Sequence, residues 1–204
     1  MAKKAKTVGN NFIQKANNLN KCRIKYEYLV DRGQLSVDEV AQVYTGLFLN
    51  LFTEFECLIS EMFYGLLRGT ISSGHSRYKR LINITPKDKV INVIQDKNYI
   101  DWLPIQEKTL PLAKKYFYEG LPFTDLVDKN KGDLKFYQII RNALAHKSEY
   151  SIKKFEDSIN SLTLLPHEKN PAYFLRSIPN RNQAKTQFEI VKDELIVIAK
   201  IICQ

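Results

Sequence analysis

One segment constrains the fold more than any other. Ser36-Val37-Asp38-Glu39 has the spacing of a capping box, a hydroxyl to satisfy an orphan N–H and a glutamate three residues on. Behind it, Val40, Val43, Leu47, Leu51, Phe55, Leu58, Met62 and Leu66 recur at intervals of three and four until Gly69. This spacing predicts a helix of some eight turns, apolar almost all round near its middle, and therefore central in whatever it builds. A chain organised on such a helix needs other helices to cover it.

The remaining segments supply them. Residues 11–30 form a weaker helical candidate, and ISSGHSRYKR, residues 71–80, reads as a loop. Thr85-Pro86 is an N-cap with proline at the first helical position, opening a short helix through Ile94. Trp102-Leu103-Pro104 breaks the chain, and a second short helix runs from about Leu110 to Glu119, stopped by Gly120. Trp102 reads as the anchor of this stretch on the core rather than as a base-stacking residue. A second strong helix covers about Asp133 to Lys147, with Phe136, Tyr137, Ile140, Ala143 and Leu144 on one face. SIKKFEDSINSLTLL is helical, LPHEKNPAYFLRS is a loop with a short turn, and Thr186 to Glu189 repeats the capping box before a last helix. Alternating strand patterns and internal repeats are absent. With only 8 glycines and 7 prolines in 204 residues, turns are few and elements long, so the expected class is all-α. We read one domain over residues 1–204, with a basic N-terminal arm or helix (1–30) and an insertion (70–131) between its two core helices.

Charge narrows the partners. Lys3, Lys4, Lys6, Lys15, Lys21, Arg23 and Lys25 occur in the first 25 residues with no acid among them, and they supply most of the net charge of +9. Such a cluster releases counterions from a polyanion and points to RNA or DNA, or else it is a solvated terminus that aids solubility. Cys22, Cys57 and Cys203 are odd in number and far apart, which predicts reduced, mostly buried thiols in a cytoplasmic protein. The basic start leads into NNFIQKANNLNK rather than an apolar run, unlike a secretory signal. Apolar runs such as ELIVIAKIIC are too short to span a membrane.

One cluster carries chemistry: Arg141-Asn142-Ala143-Leu144-Ala145-His146. On a helix Asn142 and His146 lie about 40° apart and share a face, whereas Arg141 lies about 140° from the histidine. For both to meet one phosphate, the guanidinium must reach around the helix or the helix must end near Ala145. A histidine can take or give a proton at neutral pH, and a permanently charged arginine can hold phosphate oxygens. That pair suits attack of a ribose 2′-OH on the neighbouring phosphate, a route closed to DNA. No carboxylate cluster or His/Cys grouping suggests a metal or other cofactor. A looser pair, Arg68 and His75, lies in a loop without the following asparagine and reads as coincidence.

A long apolar helix with FTEFECLISEMF at its middle, an insertion, and a second core helix closing on RNALAHKSEY together resemble the HEPN superfamily, over roughly Ser36 to Ser161. The resemblance implies an all-α bundle that dimerises with two such motifs facing each other to form a composite site. It implies a metal-independent endoribonuclease leaving a 2′,3′-cyclic phosphate, serving as a toxin, an abortive-infection effector or another antiviral component, with an antitoxin or defence-system partner. Carried onto this sequence, Arg141 would hold the phosphate, Asn142 orient the pair, and His146 act as general acid or base. An acid on the long helix assists in some members, and Glu54 and Glu56 are the candidates. Lys147, Arg176 and Arg181 are candidate RNA-backbone contacts. The alternatives are a non-catalytic HEPN-like module that binds RNA, nucleotides or a protein, and a helical interaction domain in which His146 is structural.

Overall fold

A computed structural model describes residues 2–82, 101–179, 182 and 184–204. Among these the protein is all-α, with seven helices: α1 (Ala5–Asp31), α2 (Val37–Arg68), α3 (Thr109–Tyr116), α4 (Asp128–His146), α5 (Glu149–Ile159), α6 (Pro171–Arg176) and α7 (Gln187–Ile202). Extended structure amounts to the two-residue strands β1 (Lys3–Lys4) and β2 (Ile71–Ser72), paired in parallel, and a bridge between Arg80 and Phe117. The short helix expected from Thr85 to Ile94 lies outside the described residues. None of the described helices is long and apolar enough to cross a membrane.

Two compact units emerge, each assembled from separated stretches: Met1–Ile13, Glu54–Lys135 and Ile196–Gln204 in the first, Gln14–Thr53 and Phe136–Leu195 in the second. Helices α1, α2, α4 and α7 each contribute residues to both. The basic N-terminus is thus no loose arm. It is helical from Ala5, because Ala5, Val8 and Phe12 are buried at helical spacing and Phe12 meets Phe55 edge-on.

In the first unit the core is aromatic. Phe63 of α2 touches Trp102, Phe117 and Phe123, with ring centroids 5.1, 5.1 and 5.5 Å away. Trp102 therefore anchors its segment, as its apolar setting predicts. Helix α3 stops at Tyr116, three residues short of the expected Glu119, because Phe117 turns extended and is completely buried. The chain then reverses through Glu119 and Gly120, both at positive φ (53° and 77°). Burying one phenylalanine is worth about 2 kcal/mol, more than a further turn of short helix supplies. The looser His75 is used structurally: its Nε2 lies 3.0 Å from Asp125, and its Nδ1 accepts from the Arg77 N–H.

In the second unit both predicted capping boxes are formed. Ser36 Oγ accepts from the Glu39 N–H while the Glu39 carboxylate accepts from the Ser36 N–H, and Thr186 and Glu189 do the same. Tyr44, Phe48, Leu51 and Phe52 of α2, Tyr137, Ile140, Ala143 and Leu144 of α4, and Phe155, Phe174 and Phe188 of α5, α6 and α7 are buried. Phe174 sits edge-on to both Phe136 and Phe155. Its helix, α6, six residues long, stands where the sequence suggested a loop with a short turn. Asn170 caps it by accepting from the Ala172 N–H, and Pro171 takes the first position, the same asparagine-or-threonine-then-proline signal read at Thr85. Helix α4 begins at Asp128, five residues before the expected start, with Leu134 buried on its first turns.

The cysteines differ from expectation. Cys22 and Cys57 are exposed, and Cys203 alone is buried. Both exposed thiols stand on outward faces of helices whose apolar stripes run along the other side, which a cysteine's mean preference for the interior cannot foresee.

Candidate functional site at the α4–α5 turn

Helix α4 carries the RN…H cluster to its very end. It keeps its helical turn through His146, and Lys147 then adopts a left-handed conformation (φ 50°), with its N–H donating to the Ala143 carbonyl at 3.3 Å. Ser148 opens the next helix at once: its Oγ accepts from the Ser151 N–H, and the two hydroxyls lie 3.0 Å apart. Only Lys147 and Ser148 separate the two helices. So tight a reversal folds the first turns of α5 back beside the last turn of α4.

The product is a recess of about 160 Å³ lined by Asn142, His146, Ser148, Tyr150, Ser151 and Lys154, with Ile139 as its apolar wall. Asn142 and His146 share it because they are four residues apart on one helix. Arg141 does not line it. Its Nη1 instead donates to the Asn142 Oδ1 at 3.1 Å, so the guanidinium is tied to the residue that faces the histidine. The helix does not end before His146, and the arginine meets the histidine's face only through this asparagine. His146 itself is exposed, as are Lys147, Lys153 and Lys154 around it.

The other candidates are dispersed. Lys147 lines a different cavity, of about 210 Å³, with Gln42, Thr45 and Asn170. Arg176 is held by Glu27 in a two-pronged pair, with Nε–Oε1 and Nη2–Oε2 both 3.0 Å, and faces a third cavity of about 690 Å³. Two ion pairs line that larger cavity, Arg23 with Glu189 and Arg176 with Glu27, together with His167 and with Glu168, whose carboxylate accepts from the Leu165 N–H. Burial alone would raise the Glu27 carboxyl, but hydrogen bonds from Arg176 and Tyr44 hold it below the ordinary carboxylate range. Glu54 and Glu56 are half-buried on α2, belong to the first unit, make interactions of their own, and do not line the His146 recess. Arg181 lies outside the described residues. Among the described residues no group of three His, Cys, Asp or Glu side chains is arranged to hold a metal ion.

No family model, curated protein or solved structure matches the chain. Its chemistry has to be read from its own side chains.

Those side chains comprise an imidazole, an amide tied to a fixed cation, two serine hydroxyls, a phenol and an ammonium, all at one small recess. The set can hold an anion, move one proton and exclude little water. Sequence reasoning missed Ser148, Tyr150, Ser151 and Lys154. Ser148 and Ser151 have the spacing of a cap, and a cap two residues after a helical histidine was the signal that would have folded α5 back onto the motif.

Proposed function

We propose that this protein is a metal-independent endoribonuclease that cleaves RNA by attack of a ribose 2′-oxygen on the adjacent phosphorus. A single observation carries the reading: His146 and Asn142 share one recess, and Asn142 holds the guanidinium of Arg141 at 3.1 Å. In the reaction the 2′-hydroxyl gives up its proton, the P–O2′ bond forms, and the P–O5′ bond breaks. The leaving 5′-oxygen takes a proton, and the products are a 2′,3′-cyclic phosphate and a 5′-hydroxyl end. His146 is the proton-transfer group. Arg141, once Asn142 aims it at the phosphate, balances the charge gathering on the non-bridging oxygens.

One imidazole cannot at the same moment take the 2′ proton and supply one to the 5′-oxygen. A second copy of this chain, bringing its own His146, fills the missing role, and the active species in this reading is a homodimer. The recess is open to solvent, so the substrate is single-stranded or looped RNA. Such an activity harms the cell that makes it, which places a toxin or antiviral role, and a restraining partner, within the same reading.

The test is incubation of the full chain and His146→Ala with total RNA in excess EDTA, followed by analysis of fragment ends. Wild-type cleavage with cyclic-phosphate ends, lowered about 10²–10⁴-fold by the substitution, is the expected result. Equal cleavage by both proteins overturns the assignment. A second reading, a non-catalytic module that binds RNA or nucleotides, is favoured by one fact: Arg141 stands outside the recess that holds His146. It predicts intact RNA in both tubes and binding that falls steeply between about 50 and 200 mM salt.

A further inference from the structure

Tyr150 is the most exposed large apolar side chain among the described residues, at 75% of its free area. Exposed tyrosines are common on proteins and most need no explanation. This one differs in its setting. It lines the same recess as Asn142 and His146. It also occupies the second position of α5, between the two serines whose mutual hydrogen bonds fix that turn. The ring is thus presented from a braced backbone. One helical turn further on, the Lys154 ammonium stands 5.9 Å from the ring centroid.

We propose that Tyr150 is the platform on which one unpaired RNA base stacks, with Lys154 contacting the phosphate attached to that nucleotide. The inference rests on the nuclease reading for its orientation, since the neighbouring phosphate would then lie at His146. The size of the recess favours a single unstacked nucleotide. At about 160 Å³ it falls below the roughly 300 Å³ at which ligand pockets usually begin, so it takes a ribose-phosphate portion while the base lies outside, over the ring. Lys154 lines the recess and Lys153 is exposed on the same helix, which gives a phosphate two ammonium groups against the one exposed acid of that first turn, Glu149. Stacking on an aromatic ring is indifferent to base identity, so the site selects strand state rather than sequence. Tyr28, also exposed, likewise has a cation over one ring face, Arg32 at 4.6 Å, so what sets Tyr150 apart is the recess it shares with Asn142 and His146.

Binding measured with the full-length His146→Ala chain separates this proposal from the nuclease reading. The probes are a fluorescein-labelled octa-adenylate and an abasic strand with the same number of phosphates. Adding Tyr150→Ala is expected to weaken octa-adenylate binding about 5- to 150-fold, the range for one lost stacked base, and to leave the abasic strand unchanged. Tyr150→Phe, which keeps the ring, is expected to bind as the parent does. Equal weakening of both strands, no change in either, or no octa-adenylate binding by the parent overturns the platform. Cleavage of total RNA by the chain with His146 intact is read separately. If the parent stacks adenylate but the intact chain cuts nothing, the platform stands and the nuclease fails; if the chain cuts and Tyr150→Ala changes neither binding nor KM, the platform fails alone.

Discussion

Lys147 holds a conformation that suits glycine. A side chain at left-handed φ brings its Cβ against the following carbonyl and costs about 1–2 kcal/mol, yet the position ends α4 directly after His146 and cannot be moved without lengthening the helix. Lys147→Gly is therefore expected to raise stability by about 1 kcal/mol in urea unfolding, and a loss of that size would show that the lysine side chain itself anchors the turn. The strain lies beside the proposed catalytic residue, where strained backbone tends to gather. At this scale the sequence was partly legible. Asn142 and His146 could be placed together from their four-residue spacing alone. Tyr150 and Lys154 were not placed there, because the Ser148 cap marks where a new helix starts, while the direction in which that helix leaves is set by the left-handed turn at Lys147.

Helix α2 shows how much a single element can be asked to do. Gly46 and Gly65 are both interior to it, and sequence treats them alike as helix-weakening residues. Their surroundings differ. A Cβ on Gly46 meets nothing within 4 Å, whereas one on Gly65 would lie 2.2 Å from Cδ1 and 3.0 Å from Cβ of Ile71, the buried residue of β2. Gly46→Ala is expected to stabilise the protein by about 0.5–1 kcal/mol, and Gly65→Ala to destabilise it by about 1–3 kcal/mol despite the same gain in helix propensity. Thermal melts of the two variants check this, and a rise with both would mean that β2 yields easily. The capping boxes at Ser36 and Thr186 were readable from sequence because a cap is a contact between residues three apart. The early stop of α3 was not, since it depends on Phe117 finding Phe63, far away in the chain, as well as its neighbour Phe123.

For the whole molecule, the basic N-terminal cluster is partly taken up by ion pairs. Arg23 is buried and spent on Glu189, Lys3 on Glu61 and Arg176 on Glu27, leaving the α4–α5 turn and other exposed lysines for a polyanion. The Glu27 pair has a pH signature. Its carboxyl is held below its ordinary value of 4.5, so it favours folding fully above that pH, and the contribution disappears as pH falls through the lowered value. Glu27→Gln is expected to lower stability by about 2 kcal/mol at pH 7, with the gap to wild type closing as the solution is acidified below 4.5. Melting temperatures measured from pH 7 to pH 3 test it, and a gap that stays constant would mean the loss is one of packing rather than of charge.

Helix periodicity, caps and the RN…H spacing are properties of residues within about four positions of each other, so the sequence alone determined that the chain is helical, where α2 and α7 begin, and which face of α4 carries Asn142 and His146. Which acid answers which arginine, where α3 stops, which cysteines are buried and what stands across from His146 depend on residues tens of positions apart. Those were decided only when packing brought the distant segments together, because burial and ion pairing act through space and leave no periodic trace in the chain.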